Sequence, residues 1–180
     1  MGDKMLRIFI TPEEIFPDEA DRITSLLDSG IWDIAHLRHP QATLRDMRNL
    51  IEAIPQRLHG KLRLHGHFCL ASEFNLGGLH LNRRCPSVPD FYDGPRSRSC
   101  HSIDEVTNST DCDYVTLSPI FDSVSKQGYK AAFSKQELTK LNDIRSPHVI
   151  ALGGVTPERV ALISEYNFSG YAVKGAIDLF

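Results

Sequence analysis

Short apolar runs alternate along the chain with segments whose apolar residues recur at helical spacing. The run at 5–11 (MLRIFIT) predicts a strand, and Ile23, Leu26 and Leu27 then lie on one face of a helix that ends at Gly30. The same alternation continues towards the C-terminus. It predicts seven more strands, at 31–37, 62–67, 78–82 and 96–100, within 113–121, at 148–154 and within 170–177.

Helical segments fill most of the intervals between these strands. Ser134 and Glu137 form a capping box, and Thr156 followed by Pro157 is typical of an N-cap and a first helical residue. The segment 83–95 is rich in Pro and Gly and leaves little room for a helix. Helices are predicted at 17–30, at 44–54, up to residue 75, within 102–109, from 134 and from 157.

Eight β units alternating with helices imply a parallel sheet, and eight is the number that closes a (β/α)8 TIM barrel. The rival architecture is an open, doubly wound sheet. After Lys174 only six residues remain, so the final helix is short or missing. Either the sequence is truncated, or another surface covers strands eight and one, such as that of a homodimer or a swapped segment. We expect residues 1–180 to form a single domain.

Composition and charge exclude several classes of protein. The net charge of −3 argues against a nucleic-acid partner, because such proteins are usually strongly basic. No apolar run approaches the roughly 20 residues of a membrane-spanning helix, and the N-terminus resembles no signal peptide, so we expect a cytoplasmic protein. The four cysteines form no CxxC pair and are expected to be reduced, mostly buried thiols: Cys69, Cys85, Cys100 and Cys112.

Two glycine-containing turns predict an anion site. Gly153 and Gly154 follow the seventh strand and precede a helix N-terminus, and Lys174 and Gly175 follow the eighth strand. In (β/α)8 barrels the loops after strands seven and eight commonly bind phosphate, since free N–H groups and the positive end of a helix dipole meet there. The alternative is that these glycines only permit tight turns.

The loop after the sixth strand carries further hydrogen-bond donors. Ser123 and Ser125 are two residues apart, so their hydroxyl groups lie on one side of an extended backbone. Lys126 and Lys130 add positive charge. Such a loop could close over an anionic ligand, or it could be an ordinary solvated surface loop.

Three histidines lie on or near neighbouring strands. His65 and His67 form a His-x-His on one face of the third strand, and His80 belongs to the fourth. Three imidazoles could bind zinc, or one could act as a general base, and the ordinary alternative is that they fill the barrel or face solvent.

Three segments near the C-terminus carry a family pattern: DYVTLSPIFDSVSK, IALGGVTPERV and GYAVKGAI. They resemble the thiamine phosphate synthase/TenI family, whose pattern is Gly-Pro-Ile/Val-Phe with Thr-x-Thr-Lys, then Ala-Ile-Gly-Gly-Ile/Met-x-Pro and Gly-x-Ala-Val-x-Ser-x-Ile. Earlier segments match more weakly, namely HLR, GLHL and SCHSIDEV. The resemblance runs over nearly the whole chain and is strongest towards its end.

The resemblance implies a barrel enzyme of thiamine biosynthesis that binds a phosphorylated heterocycle. Synthases of this family join the hydroxymethylpyrimidine of a pyrophosphate ester to a thiazole phosphate, and they release pyrophosphate with the help of Mg²⁺. When the family's residue roles are carried over by position, the residues that would hold the thiazole phosphate are Ser123, Ser125, Gly153, Gly154, Lys174 and Gly175. The pyrophosphate side would be formed by Arg38, Ser99 and Lys126, and Arg38 and Lys126 would be catalytic.

Departures from the family pattern affect the Mg²⁺ site. Where the synthases carry Asn-Asp after strand three, this chain has His65 and Gly66, and the Asp expected after strand four is replaced by Asn82-Arg83-Arg84. Mg²⁺ prefers oxygen ligands, and the expected carboxylates are missing here. Mg²⁺ stays a possible cofactor, but no residue is predicted as its ligand. Arg83 and Arg84 could replace the metal electrostatically at a phosphate.

The TenI branch also lacks these carboxylates and tautomerises a thiazole phosphate without metal. Its catalytic histidine stands where this chain has Pro119, so His65 is the first candidate for a proton shuttle. His101 matches a family position and is expected near the site. Two hypotheses follow: an enzyme that couples or tautomerises, or a catalytically inactive protein that senses a phosphorylated ligand or assists another thiamine enzyme.

Overall fold

The computed structural model describes residues 5–122, 131–175 and 177–180. Eight parallel strands pair in chain order, and the pairing of the first with the eighth closes the barrel. The predicted (β/α)8 barrel is confirmed, and each strand lies within its predicted segment. The strands are β1 (Leu6–Ile10), β2 (Ile34–Leu37), β3 (Leu62–Leu64), β4 (Gly78–Leu81), β5 (Arg96–Cys100), β6 (Tyr114–Leu117), β7 (His148–Leu152) and β8 (Gly170–Lys174).

Helices occupy the intervals that the sequence pattern assigned to them. The segment 83–95 contains no helix, and β8 is followed by a short 3-10 helix, as predicted. No helix in residues 5–122, 131–175 and 177–180 combines the length and apolar character needed to cross a membrane. The α-helices are α1 (Glu19–Asp28), α2 (Leu44–Ala53), α3 (Cys69–Glu73), α4 (Ile103–Thr107), α5 (Lys135–Thr139) and α6 (Pro157–Ile163), with 3-10 helices at Gln56–Lys61, Lys140–Asp143 and Ile177–Leu179.

Side-chain caps fix where several helices begin. The predicted capping box of α5 is present: Ser134 Oγ accepts from Glu137 N, and Glu137 Oε2 accepts from Ser134 N. Thr156 has the extended backbone of an N-cap before Pro157, but its hydroxyl makes no capping hydrogen bond. The prediction for α6 is therefore right about the start of the helix and wrong about the side-chain cap.

The alternation of side chains along the strands divides the core into two layers. The outer layer packs between the sheet and the helices and includes Phe9, Leu64 and Leu117. The inner layer fills the barrel, and its hydrophobic members are Ile8, Ile10, Ile34, Tyr114, Ile150 and Ala172. Polar side chains share the interior towards the carboxyl ends of the strands, where His36, His80, Ser97 and Thr116 are almost fully buried.

Aromatic side chains cover the flank formed by β8 and β1. Trp32 meets Phe9 and Phe180 edge-on, with ring centroids 5.9 and 5.3 Å apart, and Phe180 stacks on Tyr171 at 5.4 Å. These contacts bury apolar surface on the side where a longer last helix would pack. Coverage of this flank by a second copy of the chain stays a prediction.

The four cysteines are free, as expected, but only two of them are buried. Cys100 and Cys112 lie in the outer core layer, and burial raises the pKa of the Cys100 thiol to about 11. Cys85 is half-buried and Cys69 is exposed. The prediction of mostly buried thiols therefore holds for half of them.

Candidate active site at the carboxyl ends of the strands

A cavity of about 490 Å³ opens at the carboxyl ends of the strands. This is the end of a (β/α)8 barrel at which enzymes of the fold place their active sites. The cavity brings together four of the predicted residues: Arg38, His65, Ser99 and Lys174. The other three side chains named for the site, Ser123, Ser125 and Lys126, lie outside the described residues, and so does Lys130.

Arg38 and Lys174 are joined at the mouth by a carboxylate that the sequence analysis did not single out. Glu13, in the loop after β1, accepts hydrogen bonds of 2.8 Å from Arg38 Nη1 and from Lys174 Nζ on the same oxygen, Oε1. The hydrogen bond from Lys174, followed by that from Arg38, lowers the pKa of Glu13 to about 2. Glu13 is therefore ionised at neutral pH and is paired with both cations at the mouth of the cavity.

A tight turn after β4 presents two more cations. Asn82 and Cys85 form an isolated antiparallel bridge, and the Asn82 amide donates to His65 O while its oxygen accepts from Arg84 N. Arg83 and Arg84 are thus carried at the rim of the cavity, and their guanidinium groups form no hydrogen bond or ion pair with the described residues. Two positive charges remain available to a ligand.

The residues lining the cavity do not fit a Mg²⁺ ion. Among the described residues the lining contains no carboxylate. The two places where the family pattern has aspartates are occupied here by His65-Gly66 and by Asn82-Arg83. The Glu13 carboxylate contacts two residues of the lining, but its Oε1 already accepts hydrogen bonds from both of them, Arg38 and Lys174. Arginine and lysine side chains repel a divalent cation and favour an anion.

Three histidines pack together inside the barrel mouth: His36, His65 and His80. His36 Nδ1 is 2.9 Å from His65 Nε2, and His36 Nε2 is 2.7 Å from the Tyr114 hydroxyl. The rings of His65 and His80 stack with centroids 4.2 Å apart. Burial, as the largest cause, lowers the pKa of all three imidazoles, that of His80 to about 3, so they are neutral at pH 7.

The histidines in this cluster differ from the three that the sequence predicted. We expected His65, His67 and His80 to come together, but β3 ends at Leu64, so the His-x-His does not lie on a strand. His67 adopts a φ of +51° and its Nε2 donates to Ala42 O at 2.8 Å. His36 takes its place, and strict alternation along β2 from the inward Ile34 would have identified it.

A second hydrogen-bonded chain reaches the cavity from β5. His80 Nδ1 and Nε2 each lie 2.8 Å from a serine hydroxyl, Ser97 Oγ and Ser99 Oγ respectively. Ser97 is fully buried and its Oγ donates to Leu79 O at 3.1 Å, whereas Ser99 lines the cavity. His101 also lines the cavity, as expected, and donates from Nδ1 to Ser118 O.

The glycine turns after β7 and β8 have the backbone that only glycine adopts readily. Gly153, Gly154 and Gly175 have φ values of +98°, +64° and +80°. A Cβ on Gly154 would meet the Asp122 carbonyl, so this turn packs against the loop after β6. The N–H groups of Gly153 and Gly154 donate to none of the described residues, and backbone N–H groups in such a turn can bind an anion. These glycines are not among the residues that line the cavity itself.

Comparisons with known proteins agree with this architecture. The family model described as thiamine monophosphate synthase (TMP-TENI) matches residues 7–177. The crystal structure of thiamine phosphate pyrophosphorylase from Bacteroides thetaiotaomicron is 38% identical, with a TM-score of 0.84 over 96% of this chain and 84% of that one. The solved structure of thiamine phosphate pyrophosphorylase from Pyrococcus furiosus is 17% identical, with a TM-score of 0.77 over 97% of this chain and 87% of that one. At this identity the likeness shows the fold alone.

Curated relatives match over shorter stretches. The thiamine-phosphate synthase of Latilactobacillus sakei is 24% identical over 140 residues, which is 73% of this chain and 62% of that protein. The thiamine-phosphate synthase of Limosilactobacillus reuteri is 26% identical over 112 residues, or 58% of this chain and 52% of that protein. The chain thus spans less than two thirds of these relatives. With the family model covering nearly all of the barrel, the chain belongs to the thiamine monophosphate synthase/TenI family of thiamine biosynthesis.

Proposed function

We propose that this protein is a transferase that couples a pyrimidine pyrophosphate to a thiazole phosphate and releases pyrophosphate. In this reaction the bond between the pyrimidine methylene carbon and the pyrophosphate oxygen breaks, and the thiazole nitrogen forms a bond to that carbon. Family membership supports the reaction class, and the relatives with the same description are named as synthases. They do not favour the alternative of a catalytically inactive ligand sensor.

The observation that carries the proposal is the charge of the mouth. Four cations surround a cavity whose described lining has no carboxylate: Arg38, Arg83, Arg84 and Lys174. Negative charge develops on the leaving pyrophosphate, and cations that are already in place stabilise it without reorganisation. Arg83 and Arg84 stand where the family pattern has an aspartate for Mg²⁺, so we assign their charge to the pyrophosphate itself.

The remaining roles follow the resemblance. Arg38 and Lys126 would stabilise the departing pyrophosphate, and Ser123 with Ser125 would hold the thiazole phosphate. The N–H groups of Gly153 and Gly154, which donate to none of the described residues, support this phosphate site, and Gly175 with Lys174 would complete it. Positioning two anionic substrates in one cavity supplies the rest of the rate enhancement. Mg²⁺ is assigned no step, because the residues present do not fit it.

A metal-free tautomerisation of thiazole phosphate is the second candidate, and the position of His65 favours it. His65 lines the cavity, is neutral at pH 7 and is hydrogen-bonded to His36, so it has a partner for proton exchange. Pro119 occupies the place of the catalytic histidine of the TenI branch, and His65 would have to replace it.

The experiment is a coupling assay with purified protein, pyrimidine pyrophosphate and thiazole phosphate, with Mg²⁺ or with EDTA. Thiamine phosphate is detected by its fluorescence after oxidation. We expect product that is lost in Lys126→Ala and retained in Lys140→Ala, a matched loss of one charge far from the mouth. Conversion of a thiazole phosphate tautomer without coupling would establish the second candidate. Binding of thiazole phosphate with no turnover of either kind would refute both.

A further inference from the structure

A second cavity, of about 610 Å³, lies next to the mouth, where the loop after β1 meets α2. It is lined by the loops after β1 and β2, by the beginning of α1 and by one face of α2, and none of its described lining residues lines the first cavity. Sites for small organic ligands commonly have this volume. The proposed reaction takes place in the first cavity and leaves the second without a role.

The walls of this second cavity are mainly apolar. Leu50 and Ala53 contribute from α2, and the loop after β1 contributes Ile15 and Phe16, which are both half-buried. A ligand with an apolar body gains free energy by covering such a concave surface. The face of an aromatic ring such as that of Phe16 also attracts a cation.

The charged side chains of the second cavity are all acidic among the described residues: Glu13, Glu14 and Asp46. Glu13 is ionised, and the hydrogen bond from the Thr43 side chain lowers the pKa of Asp46. Glu14 is exposed and forms no hydrogen bond or ion pair with the described residues. The mouth has the opposite character, with four cations and no carboxylate in its described lining. The second cavity therefore repels the anions that the mouth attracts and favours a cation.

Glu13 connects the two cavities, because it lines the second and is bonded to residues of the first. Its Oε1 accepts hydrogen bonds from Arg38 and Lys174, whereas its Oε2 accepts none from the described residues. A cation that pairs with Glu13 from the second cavity weakens the attraction of this carboxylate for Arg38 and Lys174. The two side chains then interact more strongly with an anion at the mouth.

We propose that the second cavity binds an organic cation, an ammonium group on an aromatic or aliphatic body, and that this ligand strengthens anion binding at the mouth through Glu13. The cation site stands without the proposed function. The linkage between the cavities rests on it, since it assumes that pyrophosphate binds at the mouth. Linkage is reciprocal, so pyrophosphate raises the affinity for the cation by the same factor.

Benzylammonium and benzyl alcohol are suitable probes, because they are similar in size and differ in charge. Titration of ¹⁵N-labelled protein at neutral pH, followed by ¹H–¹⁵N NMR, gives both the affinity and the location of each probe. We expect benzylammonium to bind at least about fivefold more tightly, since several carboxylates act on one charge. The largest shifts should fall on amides of residues 13–20 and 41–53. Equal affinities, shifts centred elsewhere or no binding of benzylammonium would overturn the site.

Two variants separate the lining from the net charge of the protein. Glu14→Gln removes a carboxylate of the lining and should weaken benzylammonium binding about threefold or more. Asp18→Asn removes a charge from the same segment outside the lining, and it should weaken binding by less than about 1.5-fold. Unchanged binding in Glu14→Gln, or equal weakening in both variants, would refute the site.

The linkage is measured by calorimetric titration of pyrophosphate with and without saturating benzylammonium, at constant ionic strength. We expect benzylammonium to raise the pyrophosphate affinity about twofold to fivefold, and to have no such effect in Glu13→Gln, which has no charge to share. Unchanged or weaker pyrophosphate binding in the unmodified protein, or the same rise in Glu13→Gln, would refute the linkage through Glu13.

Failure of the proposed function gives a different result from failure of the cation site. If pyrophosphate does not bind at all, the proposed reaction and the linkage are both refuted, whereas the NMR titration still decides the cation site. If thiamine phosphate is formed but benzylammonium does not bind, the proposed reaction stands and the cation site is refuted.

Discussion

Lys174 donates a hydrogen bond of 2.8 Å to Glu13 and so links the end of the last strand to the loop after the first. The same Glu13 oxygen accepts from Arg38. Two of the cations that we assign to substrate binding are therefore already paired with an anion of the protein. A phosphate or pyrophosphate that enters the mouth competes with this carboxylate for Arg38 and Lys174.

The first prediction follows from this competition. Glu13→Gln removes the internal anion, and we expect it to raise the affinity for inorganic pyrophosphate about threefold to tenfold, since the pairs are partly exposed and individually weak. Because the pKa of Glu13 is held near 2, the effect should be constant between pH 5 and pH 8. Calorimetric titration measures it, and Glu14→Gln is the matched control. Weaker binding by Glu13→Gln would instead mean that the carboxylate positions the two cations.

The sequence predicted the barrel because its signals are local and repeated. Period-two apolar runs and helix caps are set by neighbouring residues, as at Ser134 and Glu137, and all eight strands recur in order. Strand ends were less predictable. The third strand was expected to include His67, but β3 ends at Leu64, and the positive φ of His67 is incompatible with an extended strand.

The site was predicted in part. Arg38, His65, Ser99 and Lys174 were named from the sequence and meet at the cavity. The roles of Glu13 and His36 were missed, because each depends on a contact between residues far apart in the chain. A carboxylate in a surface loop has no sequence signal that pairs it with Lys174, 161 residues away.

The second prediction concerns the two arginines that replace an aspartate. The double variant Arg83→Ala/Arg84→Ala should lose about tenfold or more in pyrophosphate affinity and at least as much in coupling rate, because both charges act on the leaving group. Lys140→Ala/Arg145→Ala removes two charges elsewhere and should leave both measurements unchanged. Calorimetry and the fluorescence assay give the two quantities. Unchanged pyrophosphate affinity in the first double variant would remove the arginines from the site.

A buried carboxyl near the mouth gives a third prediction. Glu19, the first residue of α1, is 1% exposed, and its Oε1 lies 3.4 Å from His39 Nε2. Both carboxyl oxygens lack a hydrogen-bond partner among the described residues. Burial raises the pKa of Glu19 to about 7, and burial also lowers that of His39 to about 4. The folded state thus favours a neutral Glu19.

Glu19→Gln should therefore change how stability depends on pH. A carboxyl whose pKa rises on folding contributes most below its unfolded value of 4.5, and this contribution is lost as the pH rises towards 7. The variant has no carboxyl group to ionise at this position and so avoids the loss. The free energy of unfolding of the variant minus that of the wild type should therefore increase by about 3 kcal/mol between pH 4.5 and 7. His39 titrates in both proteins and largely cancels. Urea denaturation measures the difference, and a pH-independent difference would contradict the assignment.

The last prediction tests whether the turn after β7 requires glycine. Gly154 has a φ of +64°, and a Cβ there would meet the Asp122 carbonyl and the Phe121 side chain. Both the strained backbone and the contact oppose a side chain, so Gly154→Ala should lower the free energy of unfolding by about 2 kcal/mol. Gly60→Ala is the matched control, because a Cβ at Gly60 would meet nothing within 4 Å. Displacement of this turn by the new side chain should also weaken phosphate binding, since the N–H groups of Gly153 and Gly154 would move apart. Full stability with unchanged phosphate affinity in Gly154→Ala would show that the glycine serves neither the turn nor the anion.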